Sequence, residues 1–261
     1  MASTKKYRIT IIILSLIVII EGIIILYLSL RPFKKPASAL VLPKPKIAIV
    51  LDDWGYNLHN VRIADEIKQP LTISVLPNLS YSRAVCQELH KRGFEIILHL
   101  PMEPREKTNL EKNTIMVSMD QDTVRNIVAA DLKDLTYVSG VSNHMGSVAT
   151  EDYRTMSAIF KELKKKHLYF LDSFVSSRSV CYNLARKIKL RFARRDIFLD
   201  NQENAPYIKN QIAKLKSTAK IYGRAIGIGH DRKITLEVLK EVLPQLEKEG
   251  YQFVYLSELV S

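Results

Sequence analysis

From Ile47 onward, short apolar runs alternate with amphipathic stretches. The runs are IAIVL (47–51), LTISVL (71–76), FEIILH (94–99), YVSGVS (137–142), LYFLD (168–172), a weaker LRFA (190–193), RAIGIG (224–229) and QFVYL (252–256). Their length and their β-branched and aromatic content predict buried strands. Between them, stretches such as SRAVCQELHKRG and EDYRTMSAIFKELKKK repeat apolar residues at helical spacing. Gly93 and Gly250 stand where helices should stop, and Asp120 and Thr150 where they should start. About eight strand–helix units in succession predict a parallel sheet with helical crossovers. For residues 47–261 the expected class is α/β, a deformed or incomplete (β/α) barrel of 7–8 strands. An open doubly wound sheet is the rival.

A different pattern precedes this one. Residues 9–30, ITIIILSLIVIIEGIIILYLSL, hold a single charge, Glu21. At about 1.5 Å per residue they span a hydrocarbon core of about 30 Å. An acid near the centre costs about 3 kcal/mol, and some sixteen Leu, Ile and Val residues together contribute roughly 5–10 kcal/mol, so insertion wins. The run is longer than a usual signal-peptide core, which favours an uncleaved transmembrane anchor over a removed leader. Residues 1–8 are then a short cytoplasmic N-terminus, and 31–46, RPFKKPASALVLPKPK, a Pro- and Lys-rich linker.

Charge adds little to this picture. Residues 1–46 carry +7 of the net +12, which leaves +5 on the domain. The basic excess brackets the apolar run, where it suits anionic lipid headgroups. No basic stripe interleaved with aromatics is present, so nucleic acid is not an expected partner. Cys86 and Cys181 lack any CxxC spacing and read as small buried hydrophobes.

The chemistry gathers where the predicted strands end. The first strand ends in Asp52-Asp53, the third in His99, the fourth runs into Asn143-His144, and the fifth ends in Asp172. The sixth leads to Asp196 and Asp200, and the seventh ends in His230. In a barrel these positions ring one mouth. Each alone could be a loop cap or a core hydrogen bonder. Together, two adjacent acids and several imidazoles make a sensible cation site, because buried charges are costly unless paired or metal-bound. His59, His90 and His167 fall on helices or before a strand and read as solvated surface residues. GIGIGH lacks the GxGxxG spacing of a dinucleotide site, and no GxSxG, P-loop or HExxH is present.

LDDWG (51–55), HLPMEP (99–104), SNHMGS (142–147), LDSFVSSRSV (171–180), RRDIFLD (194–200) and GIGH (227–230) resemble the divergent polysaccharide deacetylase family, across about residues 45–260. That family looks like a remote branch of the chitooligosaccharide-deacetylase-like superfamily, with its deformed (β/α) barrel. The resemblance implies Asp52 as general base, Asp53 and His99 as metal ligands, and His230 as general acid. The superfamily's pair of histidines spaced four apart is missing after His99, and His144 is the best candidate for the second imidazole. Glu103, Asn143, Asp172, Asp196 and Asp200 are left as substrate-binding or supporting residues. His230 is followed by Asp231, where the family is expected to prefer proline. The expected activity is metal-dependent removal of N- or O-acetyl groups from a cell-envelope polysaccharide. Zinc is the first choice of metal, with cobalt, nickel or manganese as alternatives. The domain is then expected outside the cytoplasm, periplasmic or extracellular. A catalytically inactive glycan-binding or scaffold protein on the same fold is the alternative. A two-carboxylate barrel glycosidase would leave the strand-end histidines unexplained.

Overall fold

The computed structural model describes residues 2–30 and 43–261, in two compact units that meet at Leu42 and Pro43 in the sequence. In the first, α1 (Ala2–Ser29) is one uninterrupted helix. Its Lys6–Ser29 stretch has a mean hydropathy of 3.1 over a length that can cross a bilayer, a test that a signal sequence also passes. Most of the expected linker lies outside the described residues.

The second unit opens with β1 (Lys46–Trp54), α2 (Val61–Glu66), β2 (Thr72–Val75), α3 (Ser82–Lys91) and β3 (Glu95–Met102). It continues with α4 (Gln121–Asp134), β4 (Val138–Met145), α5 (Tyr153–Lys165), β5 (Tyr169–Asp172), α6 (Cys181–Ile188) and β6 (Phe192–Arg194). It closes with β7 (Ile197–Phe198), α7 (Ala205–Tyr222), β8 (Arg224–His230), α8 (Lys233–Lys248) and β9 (Gln252–Phe253). Every strand pairs in parallel, in the order β6-β5-β4-β3-β2-β1-β8-β7, with β9 against the start of β1.

The sheet curls until β6 and β7, at opposite ends of this order, follow one another along the chain. Arg195 N–H donates to the Asp172 carbonyl of β5 at 3.0 Å, and Asp196 N–H donates to the Ile226 carbonyl of β8 at 2.9 Å. Two residues of continuous chain thus bridge the gap that a ladder would fill in a regular barrel. This is the deformed (β/α) barrel that the pattern predicts. It differs by an extra two-residue strand, β7, too short to give a hydrophobic run.

Alternation along the strands separates two cores. Ile47, Ile49 and Leu51 point outward and pack with the helices. Ala48, Val50, Ile97, Tyr169, Leu171, Ile226 and Ile228 point inward and fill the barrel, together with Leu256 and Leu259 of the C-terminal segment. Gly140 belongs to this inner packing: a Cβ there would sit 2.2 Å from the Tyr169 ring. The same inward rows continue toward the carboxyl ends of the strands as Asp52, Ser74, His99, Ser142, His144 and His230.

Two local expectations change. His99 lies inside β3, which continues to Met102, and Asn143 and His144 lie inside β4. Asp120 does cap α4, accepting from Thr123 N–H at 2.9 Å, but α5 is capped by Asp152 and not by Thr150. Thr150 instead donates its hydroxyl to the Gly146 carbonyl. Both cysteines are buried free thiols.

Candidate metal centre and active site

Asp52 and Asp53 are adjacent, so a regular strand would send them to opposite faces. Asp53 has φ 66, a left-handed conformation that Asp tolerates better than most residues, and one extra residue enters β1 between Leu51 and Trp54. The bulge turns both carboxylates to the mouth and leaves Trp54 fully buried beside the helices.

The Asp53 Oδ1 atom lies 3.2 Å from His99 Nε2 and 3.0 Å from His144 Nδ1. One ligand atom from each of the three residues falls within 4.8 Å of the others. The imidazoles meet edge to face, with ring centroids 4.9 Å apart. Burial alone pushes the Asp53 carboxyl up, yet hydrogen bonds to His144 and His99 outweigh it and hold the group well below the carboxylate range.

The other nitrogen of His99 is anchored. Its Nδ1 is 2.7 Å from Ser142 Oγ, which is in turn 2.7 Å from Ser74 Oγ. This orients the ring and leaves Nε2 toward Asp53, as second-sphere partners of metal-binding histidines do. An anionic oxygen and two imidazole nitrogens aimed at one point suit a divalent cation such as zinc. Asp52 adds a second observation: its Oδ1 is buried with no hydrogen-bond partner, 3.7 Å from His99 Nδ1. Burial raises the Asp52 pKa, against the opposing pull of His99 and His230.

His230 faces Asp52 across the β1–β8 ladder. Its Nδ1 is 2.7 Å from Asp200 Oδ1, and Asp200 Oδ2 accepts from His230 N–H and the Thr235 hydroxyl. Burial would lower the His230 pKa, but the hydrogen bond and charge of Asp200 outweigh it and raise it. The ring stacks on Phe198, with centroids 5.9 Å apart, and the Arg195 guanidinium lies 3.6 Å over Phe198.

The structure therefore brings together Asp52, Asp53, His99, His144, His230 and Asp200. The remaining candidates are engaged elsewhere. Glu103 Oε2 accepts from Val117 N–H, and Asn143 Oδ1 from Ser173 N–H. Asp172 accepts from Phe174 N–H and the Ser179 hydroxyl, and Asp196 from Ile226 N–H. The first three set the loops around the mouth, and Asp196 ties the β6–β7 connection to β8.

Sequence reading missed Ser74, Ser142, Arg195 and Phe198. Ser74 had a signal, a polar residue at an inward position of a short strand, two places after Thr72. Ser142 had another, sharing the inward face with His144. Asp231 fills the position next to His230. It accepts from Asn60 Nδ2 at 2.8 Å, and its N–H donates to the Asp52 carbonyl at 2.9 Å. Burial pushes its carboxyl up to about 6.

Residues 49–260 match the model of the divergent polysaccharide deacetylases. The chain belongs to that family. Two relatives share the domain. YibQ of Escherichia coli (strain K12) is 32% identical over 214 residues, 80% of this chain and 67% of its own. A Haemophilus influenzae protein is 33% identical over 214 residues, 82% of this chain and 76% of its own. Among solved structures, a protein of Agrobacterium tumefaciens C58 superposes with a TM-score of 0.81 at 21% identity, covering 86% of this chain and 92% of that one. A peptidoglycan N-acetylglucosamine deacetylase superposes with a TM-score of 0.50 at 14% identity, covering 82% of this chain and 87% of that one. At these identities the structures establish the shared fold of this polysaccharide deacetylase family member.

Proposed function

We propose that the chain is a metal-dependent hydrolase that removes acetyl groups from a polysaccharide of the cell envelope. One observation carries this reading. Two histidines from neighbouring strands, His99 and His144, converge on a single oxygen of Asp53 beside a buried carboxylate whose Oδ1 has no partner.

Asp53, His99 and His144 would hold the cation. When bound, a divalent metal supplies Lewis-acid polarisation of the acetyl carbonyl and lowers the pKa of water at the site. Asp52 takes the proton of the attacking water on Oδ1, and the upward shift that burial gives its pKa makes it a stronger base than an exposed aspartate. His230, whose pKa Asp200 raises, gives its Nε2 proton to the departing sugar amine or hydroxyl. Ser142 and Ser74 fix the His99 ring, and Arg195 with Phe198 limits the tilt of His230. Residues 9–30 act as an uncleaved anchor, and residues 47–261 work outside the cytoplasm on the glycan.

The test is direct. The purified full chain is assayed for bound metal and for acetate release from N-acetylated glycans, with and without a chelator. Asp53→Ala and His99→Ala are expected to lose the metal and to lower turnover at least about a hundredfold. Full metal occupancy in both variants would refute the ligand set. Intact occupancy in the parent without acetate release would refute the activity.

A further inference from the structure

On the side of the barrel where β6 and β8 do not pair, a shallow groove runs between α6, β6 and the start of β8. Two adjoining hollows of about 370 Å³ and 690 Å³ share Tyr182, Phe192 and Ser261. Exposed cations line it: Arg186, Lys189, Arg191, Arg194 and Arg224. Among the described residues none of these five pairs with a carboxylate, whereas seven other arginines of the domain do. Their contacts hold them without neutralising them. Arg191 donates to the His167 carbonyl, Arg224 to the Leu259 carbonyl, and Arg186 lies over the Tyr182 ring. Asp196 also lines the groove, exposed and with its Oδ2 accepting from the Ile226 N–H of β8, so one carboxylate side chain stands against five cations.

A plain explanation covers part of the cluster. Arg186 sits in the last turn of α6, where a cation complements the helix C-terminus. It does not cover Arg191, Arg194 and Arg224, which lie on or beside strands. The rim is apolar as well. Ile221 and Tyr222, at the end of α7, are 73% and 76% exposed. Next to them, the Gly223 carbonyl accepts from Lys46 N–H at 2.9 Å, where the chain enters β1. The residues before Lys46 lead back to α1, the helix apolar enough to span a bilayer.

We propose that the arginine groove and its Ile221–Tyr222 rim rest on the anionic phospholipid surface of a membrane. Unpaired cations attract anionic headgroups, and aliphatic and aromatic side chains beside them enter the interfacial layer. The chain that joins the domain at this spot comes from a segment of membrane-spanning length, which selects a lipid surface over other polyanions. The inference rests on α1 being a membrane span and is independent of the deacetylase reading.

The test uses the full chain reconstituted in vesicles of phosphatidylcholine alone or mixed with phosphatidylglycerol. A fluorophore is placed at Tyr222→Cys, the native cysteines being buried. Acrylamide quenching is expected to be at least about threefold weaker in the anionic vesicles, and equal in both at high salt. A fluorophore at Leu110→Cys, exposed on the loop after β3, is expected to quench equally in both. Arg191→Gln with Arg224→Gln should abolish the lipid dependence while leaving vesicle flotation unchanged. Should that pair unfold, Lys189→Gln with Arg194→Gln serves instead. Equal quenching at Tyr222 in both lipids overturns the proposal. So does protection that tracks protein density, which indicates a second copy. Failure of the full chain to float with neutral vesicles overturns it at α1.

Discussion

Asp200 shows how one residue sets the chemistry of another. Its carboxylate takes three hydrogen bonds, one of them from the ring of His230. Burial acts to raise the Asp200 pKa, but the His230 contact outweighs it and lowers it, while the same contact raises that of His230. In the proposed mechanism His230 donates a proton, a role that holds below its pKa and is lost above it. Asp200→Asn removes the charge that raises that pKa, so the alkaline limb of the kcat/KM profile is expected to move to lower pH. Turnover at neutral pH should fall by about tenfold to a hundredfold. An unchanged limb would remove Asp200 from this role. Asp131 obeys the opposite sign. Burial, reinforced by Asp134 and opposed by Asn78, lifts its carboxyl to about 6. A carboxyl raised above its unfolded value of about 3.9 stabilises the fold fully below that value, and that stability is lost as pH rises toward 6. Asp131→Asn keeps an acceptor for Asn78 and is expected to gain about 1 kcal/mol at pH near 7.5, with no gain near pH 4. Urea unfolding at the two pH values checks this.

At the scale of elements, β1 and β4 carry the site because their inward rows change character along their length. β1 reads Ala48, Val50, Asp52 inward, and β4 reads Gly140, Ser142, His144. The apolar part packs the barrel and the polar part opens at the mouth. Gly140 is the hinge of this arrangement, since the Tyr169 ring occupies the space of its missing side chain. Gly140→Ala is expected to cost about 1–3 kcal/mol by overpacking and to lower the melting temperature by several degrees. Adding Tyr169→Leu should restore part of the loss. Equal melting of Gly140→Ala and the parent would show that the ring moves aside freely. Gly55 and Gly146 take positive φ beside the site, and Gly229 lies inside β8, where a Cβ would come within 3.0 Å of the Thr235 methyl.

For the whole molecule, binding and stability are linked. A cation that binds the folded cluster and not the unfolded chain stabilises the fold by about 2.7 kcal/mol at a hundred times its dissociation constant. For a domain of this size that corresponds to a rise of about 5–10 °C in melting temperature. Zinc is expected to produce this shift in the parent, a chelator to reverse it, and Asp53→Ala to show none. An equal shift in Asp53→Ala would place the cation elsewhere.

The sequence by itself determined the alternation of strands and helices, the apolar N-terminal segment, and the positions of the acids and histidines. Each is a local pattern: period two, period three to four, or a polar residue after an apolar run. Only the tertiary structure decided which of those polar residues meet. Asp196 and Asp172 look no different in the sequence from Asp200, yet backbone N–H groups claim the first two and His230 claims the third. The β1 bulge, the closure through Arg195 and Asp196, and the pairing of Ser74 with Ser142 across three strands depend on contacts between distant segments. Local propensity carries no record of such contacts, because curling the sheet is what brings the inward rows to one mouth.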